Sequence, residues 1–319
     1  MARQAGVALS RRRFLATSAA LGMGTVLGRL RAATPPAATS AAAMLPLVTR
    51  VIPASGERLP AIGIGTDAFR KEVREEIHTQ LQRMSELGGS VIDTAAAYGD
   101  SEALIGEALA ALGARTRMFI ATKLTASAGA SGAAGAESFA RSLARLRTDR
   151  IDLLQVHNLN GVAALIPQMQ EWKKAGRIRY IGVTTSRGSQ HAELLDTMRN
   201  HPLDFIQVDY SLGNREAAAA ILPLAQERKL AVLVNLPFGR SSLFRQIADR
   251  PLPPWAADID VGSWAQYFLK YVISHPAVTC AIPGSTQLGH LEDNQAAGRG
   301  RLPDAAMRRR MEEYWDRGS

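Results

Sequence analysis

The 319-residue chain is nearly free of cysteine, Cys280 being the only one. It therefore has no intrachain disulfide and no thiolate cluster for a structural zinc or iron–sulfur site. Long apolar runs are missing too. The best stretch, Phe14 to about Gly28, is diluted by Gly22, Gly24 and Thr25 and is short for a membrane-spanning helix. His78, His191, His201 and His275 show neither His-x-x-x-His pairing nor an acidic partner at ligand spacing. They read as surface or loop residues, and metal catalysis is not expected. Ser186-Arg187-Gly188-Ser189 lacks the GxSxG frame of a hydrolase. Acid is absent from residues 1–44, which contain six arginines. Taking those six from 38 basic residues leaves 32 against 29 acidic, so most of the +9 net charge lies in the leader and nucleic acid is not an expected partner. What remains, with 46% hydrophobic residues overall, is a globular chain able to bury a core.

Residues 1–44 read as an address. Ser10 to Ala16 is SRRRFLA, followed by the short apolar stretch and a run of small residues from Ala32 to Ala43. This resembles the twin-arginine export signal of bacteria, read by the export machinery and then removed, leaving no stable membrane anchor. The expected location is periplasmic or secreted, or cytoplasmic if the leader is unused.

From residue 45 to 319 the length suits one large domain. Short apolar runs recur at Ala61–Gly65, Val91–Thr94, Met118–Thr122, Leu153–Val156, Tyr180–Val183, Phe205–Val208, Ala231–Asn235 and Thr279–Pro283. They lack the alternation of a sheet with one wet face, which predicts parallel strands buried on both sides. Helical patterns lie between them, at Lys71–Leu87, Ser101–Leu112, Glu137–Arg147, Arg215–Lys229 and Gly262–His275. Eight strand–helix alternations predict a single (β/α)8 barrel of the α/β class, with Leu47–Arg58 as a hairpin closing its bottom. The rival is a dinucleotide-binding βαβ unit at Gly63-Ile64-Gly65-Thr66-Asp67-Ala68. It matches GxGxxA, but its helix would start too far from the glycines to hold a pyrophosphate.

Chemistry in such barrels gathers where strands end at the carboxyl face. There the sequence puts Asp93, Tyr98 in the following loop, Lys123 and His157 on three consecutive strand ends. A phenol is a poor acid at neutral pH unless a cation lowers its pKa, which Lys123 would do while Asp93 holds the lysine. His157 would donate a hydrogen bond to a carbonyl oxygen, and Tyr98 would protonate the alkoxide formed by hydride arrival.

The segments VIDTAAAYGDSEALIGEAL, IATK, RIDLLQVHN, GRIRYIGVTTS, FIQVDYSL and AIPGSTQLGHLEDN resemble successive motifs of the aldo-keto reductase family, from about Arg58 to Asn294. The resemblance implies a (β/α)8 barrel, nicotinamide-dependent reduction of a small carbonyl substrate, and a monomer. It maps a catalytic tetrad onto Asp93, Tyr98, Lys123 and His157. It also implies a cofactor site at Thr184, Thr185, Gln207, Asn235, Leu236, Pro237, Gly239, Ser285, Thr286, His290 and Asn294.

Several positions depart from the family. The serine–asparagine pair that holds the nicotinamide carboxamide reads Thr184-Thr185, and Asn235 stands where a tyrosine ring usually stacks. Gly284 and His290 replace the lysine and arginine that face the 2′-phosphate in NADP-preferring members, so NADP(H) is expected and NAD(H) stays open. The alternative function is a barrel that binds nicotinamide or another ligand without turnover. An isomerase barrel would need a glycine-rich phosphate loop, which is absent. Arg308-Arg309-Arg310, beside Glu312 and Glu313, reads as a solvated helix face, Cys280 as buried, and Ala126–Ala136 as a loop at the active face.

Overall fold

The computed structural model describes residues 44–124, 132–247 and 250–318. Residues 1–43, where a leader is expected, and residues 126–131 of the expected loop lie outside the described residues. A compact unit begins at Met44.

A hairpin comes first, β1 (Thr49–Val51) pairing antiparallel with β2 (Arg58–Pro60). Eight parallel strands follow: β3 (Ile64–Gly65), β4 (Val91–Asp93), β5 (Phe119–Leu124), β6 (Ile151–Val156), β7 (Ile178–Thr184), β8 (Phe205–Asp209), β9 (Ala231–Asn235) and β10 (Cys280–Ala281). Each lies beside the next in sequence. The ends meet where Gly63 N–H donates to Ala281 O at 2.9 Å and Gly65 N–H to Pro283 O at 3.0 Å, closing the barrel. Between strands run α1 (Arg74–Glu86), α2 (Ser101–Ala111), α3 (Gly132–Arg145), α4 (Val162–Lys174), α5 (His191–Asn200) and α6 (Ile221–Glu227). A short α7 (Ser242–Ile247) precedes α8 (Trp264–Ile273), and α9 (Leu288–Ala297) and α10 (Ala305–Asp316) end the chain.

Strands β4, β5, β6 and β8 are buried at every residue, so they read as continuous apolar runs. One set of side chains, Phe119, Leu153, Tyr180 and Phe205 among them, fills the barrel, and Ile52 and Leu59 of the hairpin join that cluster at its amino-terminal end. Alternate residues such as Ile92, Ile120, Leu154 and Ile181 point outward to the helices.

The dinucleotide-fold rival fails on the closed, sequential strand order. Its glycines have another use. A Cβ on Gly63 would lie 2.7 Å from Val91 O, and one on Gly65 2.8 Å from Ile282 O, so both permit close backbone approach around β3. The expected helix Arg215–Lys229 divides into a 3-10 turn, Glu216–Ala218, and α6. Pro223 confines the α-helix to a start just before it, because its ring collides with the carbonyl one turn back. Helix α3 starts five residues earlier than expected, taking in residues 132–136 of the expected loop. Among the described residues, no helix is long and apolar enough to cross a membrane.

Candidate active site

Buried strands deliver the charged groups, because a side chain at the last residues of a strand points into the mouth of the barrel. Asp93 ends β4 and Lys123 lies near the end of β5. Lys123 Nζ donates to Asp93 Oδ2 at 2.5 Å and to Thr94 O at 2.9 Å, both side chains of the ion pair being almost wholly buried. Burial disfavours the ammonium, but Asp93 and Tyr98 outweigh it and raise the pKa of Lys123. Burial raises that of Asp93 against Lys123, Gln207 and Gln155. A second buried network backs the pair. Glu102, at the start of α2, accepts from Thr122 at 2.6 Å and from Arg145 at 2.5 Å, fixing α2 and α3 against β5.

Tyr98 sits in the loop after β4, with Lys123 Nζ 4.9 Å from its ring centroid. Its ring is edge-on to His157, with centroids 6.0 Å apart. The cation acts on the phenol in the expected direction, yet the net shift is upward: burial dominates, and Asp93 and Asp67 add to it. The expectation of a lowered Tyr98 pKa is thus corrected for this state, because burial of the phenol outweighs the pull of Lys123. His157, at the end of β6, is lowered to about 4 by burial and by Lys123, which leaves a neutral ring at ordinary pH.

These four groups open into a cleft of about 530 Å3 that continues over the ends of β7, β8, β9 and the β10–α9 loop. Of the expected cofactor residues, Thr184, Thr185, Gln207, Asn235, Leu236, Pro237, Ser285, Thr286 and His290 line it. Gly239 and Asn294 do not. Gly239 is taken up by a left-handed turn whose N–H donates to Leu236 O at 2.8 Å, and Asn294 is buried on the inner side of α9. Thr184 Oγ1 accepts from Asn158 N–H at 3.2 Å, and Thr185 Oγ1 donates to Gln190 Oε1 at 2.8 Å. Asn235 Nδ2 donates to Thr185 O at 2.9 Å. Gln207 Oε1 and Asn235 Oδ1 are left buried without a partner, on two residues that line the cleft. Such atoms are costly unless something donates to them.

The sequence reading missed Asp67, Asn158 and Arg240, all on the cleft wall. Arg240 is exposed, has no ion-pair partner among the described residues, and sits in a run of left-handed backbone at Leu236, Gly239, Arg240 and Ser241. Two further expectations are corrected. His191 has an acidic partner, Asp209 Oδ1 at 3.2 Å, supplied by a neighbouring strand, and His275 is half-buried against Tyr210 with its pKa lowered to about 4, chiefly by burial. Arg308 is not simply solvated, since it bonds Tyr210 Oη at 2.7 Å and Ser274 Oγ at 2.7 Å. Cys280 is buried.

The aldo/keto reductase family profile matches residues 61–314. Methylglyoxal reductase YeaE of Escherichia coli is 30% identical over 255 residues, covering 77% of this chain and 88% of its own. Aldo-keto reductase YhdN of Bacillus subtilis is 34% identical over 199 residues, covering 56% of this chain and 59% of its own. Among solved structures, an aldo-keto reductase from Klebsiella pneumoniae in complex with NADPH superposes with a TM-score of 0.72 at 25% identity, covering 85% of this chain and 96% of that one. With its closed barrel and its match over nearly all the described residues, this chain belongs to the aldo/keto reductase family.

Proposed function

We propose that the protein is an NADP(H)-dependent reductase of small aldehydes or ketones, with Tyr98 as the proton donor. The observation that carries the reading is the convergence of Tyr98, Lys123, Asp93 and His157 on one cleft that also holds two unpartnered buried acceptors. Gln207 Oε1 and Asn235 Oδ1 suit the two N–H donors of a carboxamide, which is the end of nicotinamide that must be oriented. Asn235 would thus serve the carboxamide by hydrogen bonding where a ring face is missing. Arg240, Ser285 and the start of α9 give the phosphates a cation, a hydroxyl and N–H groups. The bound cofactor supplies hydride.

The chain's own residues handle the proton. Burial keeps the Tyr98 phenol protonated, so it is a full reservoir at neutral pH. Neutral His157 donates a hydrogen bond that holds the carbonyl oxygen beside Tyr98. As that oxygen gains negative charge, the phenolic proton moves to it, and Lys123 stabilises the tyrosinate left behind. Asp93 fixes the lysine. The non-catalytic alternative is not favoured by the named reductase relatives.

The direct assay follows NADPH oxidation with a panel of carbonyls that starts with methylglyoxal, after the name of the Escherichia coli relative. Turnover of at least one carbonyl is expected. NADPH binding without turnover of any would instead support the binding role. For the leader, we propose twin-arginine export on the strength of Arg11, Arg12, Arg13 and Phe14. Replacing all three arginines by lysine should leave the protein inside the cell, and unchanged export would refute this.

A further inference from the structure

A second recess, about 700 Å3, opens at the opposite end of the barrel, among the loops that lead into strands. Six arginines line it: Arg58, Arg115, Arg117, Arg150, Arg177 and Arg179. Only three acids accompany them, Glu57, Asp149 and Asp152. That surplus of three charges equals the whole surplus of residues 45–319, whose 32 basic residues face 29 acidic ones. The rest of the barrel is therefore balanced, and its excess is gathered in one concavity.

Two of the acids are already committed. Asp152 takes Arg179 at 3.0 Å and Arg115 at 3.1 Å, and Glu57 pairs with Arg179. Arg115 is held further by Thr148 Oγ1 at 3.1 Å and Met118 O at 3.0 Å. These groups make a rigid, neutralised floor. Above it, the guanidinium groups of Arg117 and Arg150 have no hydrogen-bond or ion-pair partner among the described residues, Arg177 lies over the Phe139 ring at 4.8 Å, and Arg58 bonds only Thr49 among them. All four are exposed.

Their spacing follows from the barrel. Arg117, Arg150 and Arg177 stand one or two residues before β5, β6 and β7, three adjacent strands. Ile151 N–H donates to Arg177 O at 3.1 Å, which fixes the second and third side by side. Adjacent strands are about 4.8 Å apart, so the backbones that carry these three arginines share a span of about 10 Å. Like charges repel one another, and each guanidinium offers a planar fork that fits an oxyanion. The geometry points to this recess as a binding site for a compact polyanion, a molecule bearing two or more phosphate or carboxylate groups that bridges Arg117, Arg150 and their neighbours. It lies away from the cleft of Tyr98, so the site acts on stability or regulation and does not depend on the proposed reaction.

Thermal unfolding of the full chain at low ionic strength tests this, with inorganic tripolyphosphate and citrate as separate probes and sodium chloride matched for ionic strength. At a probe concentration on the order of a hundred times its dissociation constant, Tm should rise by about 5 °C. A response to tripolyphosphate identifies the phosphate source, one to citrate the carboxylate source, and either supports the site. The double variant Arg117→Gln/Arg150→Gln should unfold no lower than the wild type without probe and should lose the rise, while Arg150→Gln alone weakens it. Arg240→Gln, in the other cleft, should keep the rise, which separates this site from the cofactor phosphates. No rise beyond the salt control, a rise that survives the double substitution, or one lost in Arg240→Gln would overturn the inference.

Discussion

Replacing Asp93 by asparagine removes the partner of a cation that has almost no contact with water. Lys123 Nζ lies 2.5 Å from the carboxylate, and the two side chains are 2% and 3% exposed. Breaking a buried pair on one side costs about 3–5 kcal/mol, because the remaining charge stays desolvated. For a unit of about 275 residues, an unfolding entropy near 2.1 cal/mol/K per residue gives about 0.6 kcal/mol per degree. Tm should therefore fall by about 5–9 °C. The pH dependence fixes the cause. In the wild type the folded pKa of Lys123 is raised, so its contribution is present below the unfolded pKa and is lost as pH rises through the folded value. In the variant, burial acts without Asp93, and the folded pKa drops below the unfolded one. The unfolded chain then binds more protons between those two values, so the variant gains relative stability as pH rises. The Tm deficit should be largest near pH 6 and shrink toward pH 10. Scanning calorimetry of both proteins across that range measures it. A deficit under about 2 °C throughout, or one that grows with pH, would refute the reasoning.

Other substitutions and a pH profile probe different parts of the structure. With His157 at about 4, kcat/KM should show no histidine step between pH 5 and 7; a step centred near 6.5 would mean the ring is not held neutral. The same depressed value means that stability conferred by burying neutral His157 is lost as pH falls from about 6.5 toward 4, so His157→Gln should flatten acid unfolding in that window. Arg240→Gln should weaken NADPH binding by about tenfold, an effect that shrinks with salt, while His290→Ala does less; equal losses would contradict the role given to Arg240. Gly65→Ala should cost about 1–3 kcal/mol in urea unfolding, because its Cβ meets Ile282 O at 2.8 Å across the barrel seam, and an unchanged midpoint would show that the seam yields.

The barrel was legible because parallel strands covered on both faces leave short apolar runs, and because Asp93, Lys123 and His157 fall at their ends. Helix limits were less so, as the break at Pro223 depends on which turn its ring meets. Contacts made only by folding left no mark in the sequence. His191 and Asp209 are 18 positions apart, and Arg308 reaches Tyr210 across 98. Nothing in the sequence singled out Arg240, which lies on the cleft wall within a run of left-handed backbone. The direction of the Tyr98 shift was misread for a similar reason. A cationic neighbour can be inferred from strand order, but the degree of burial that outweighs it cannot.

The Tyr98→Phe variant gives the most direct measurement, comparing steady-state carbonyl reduction with NADPH binding by fluorescence. Loss of the phenolic proton should lower kcat by about 10²–10⁴-fold while the dissociation constant for NADPH stays within about twofold. Turnover within tenfold of the wild type would show that the proton comes from another group.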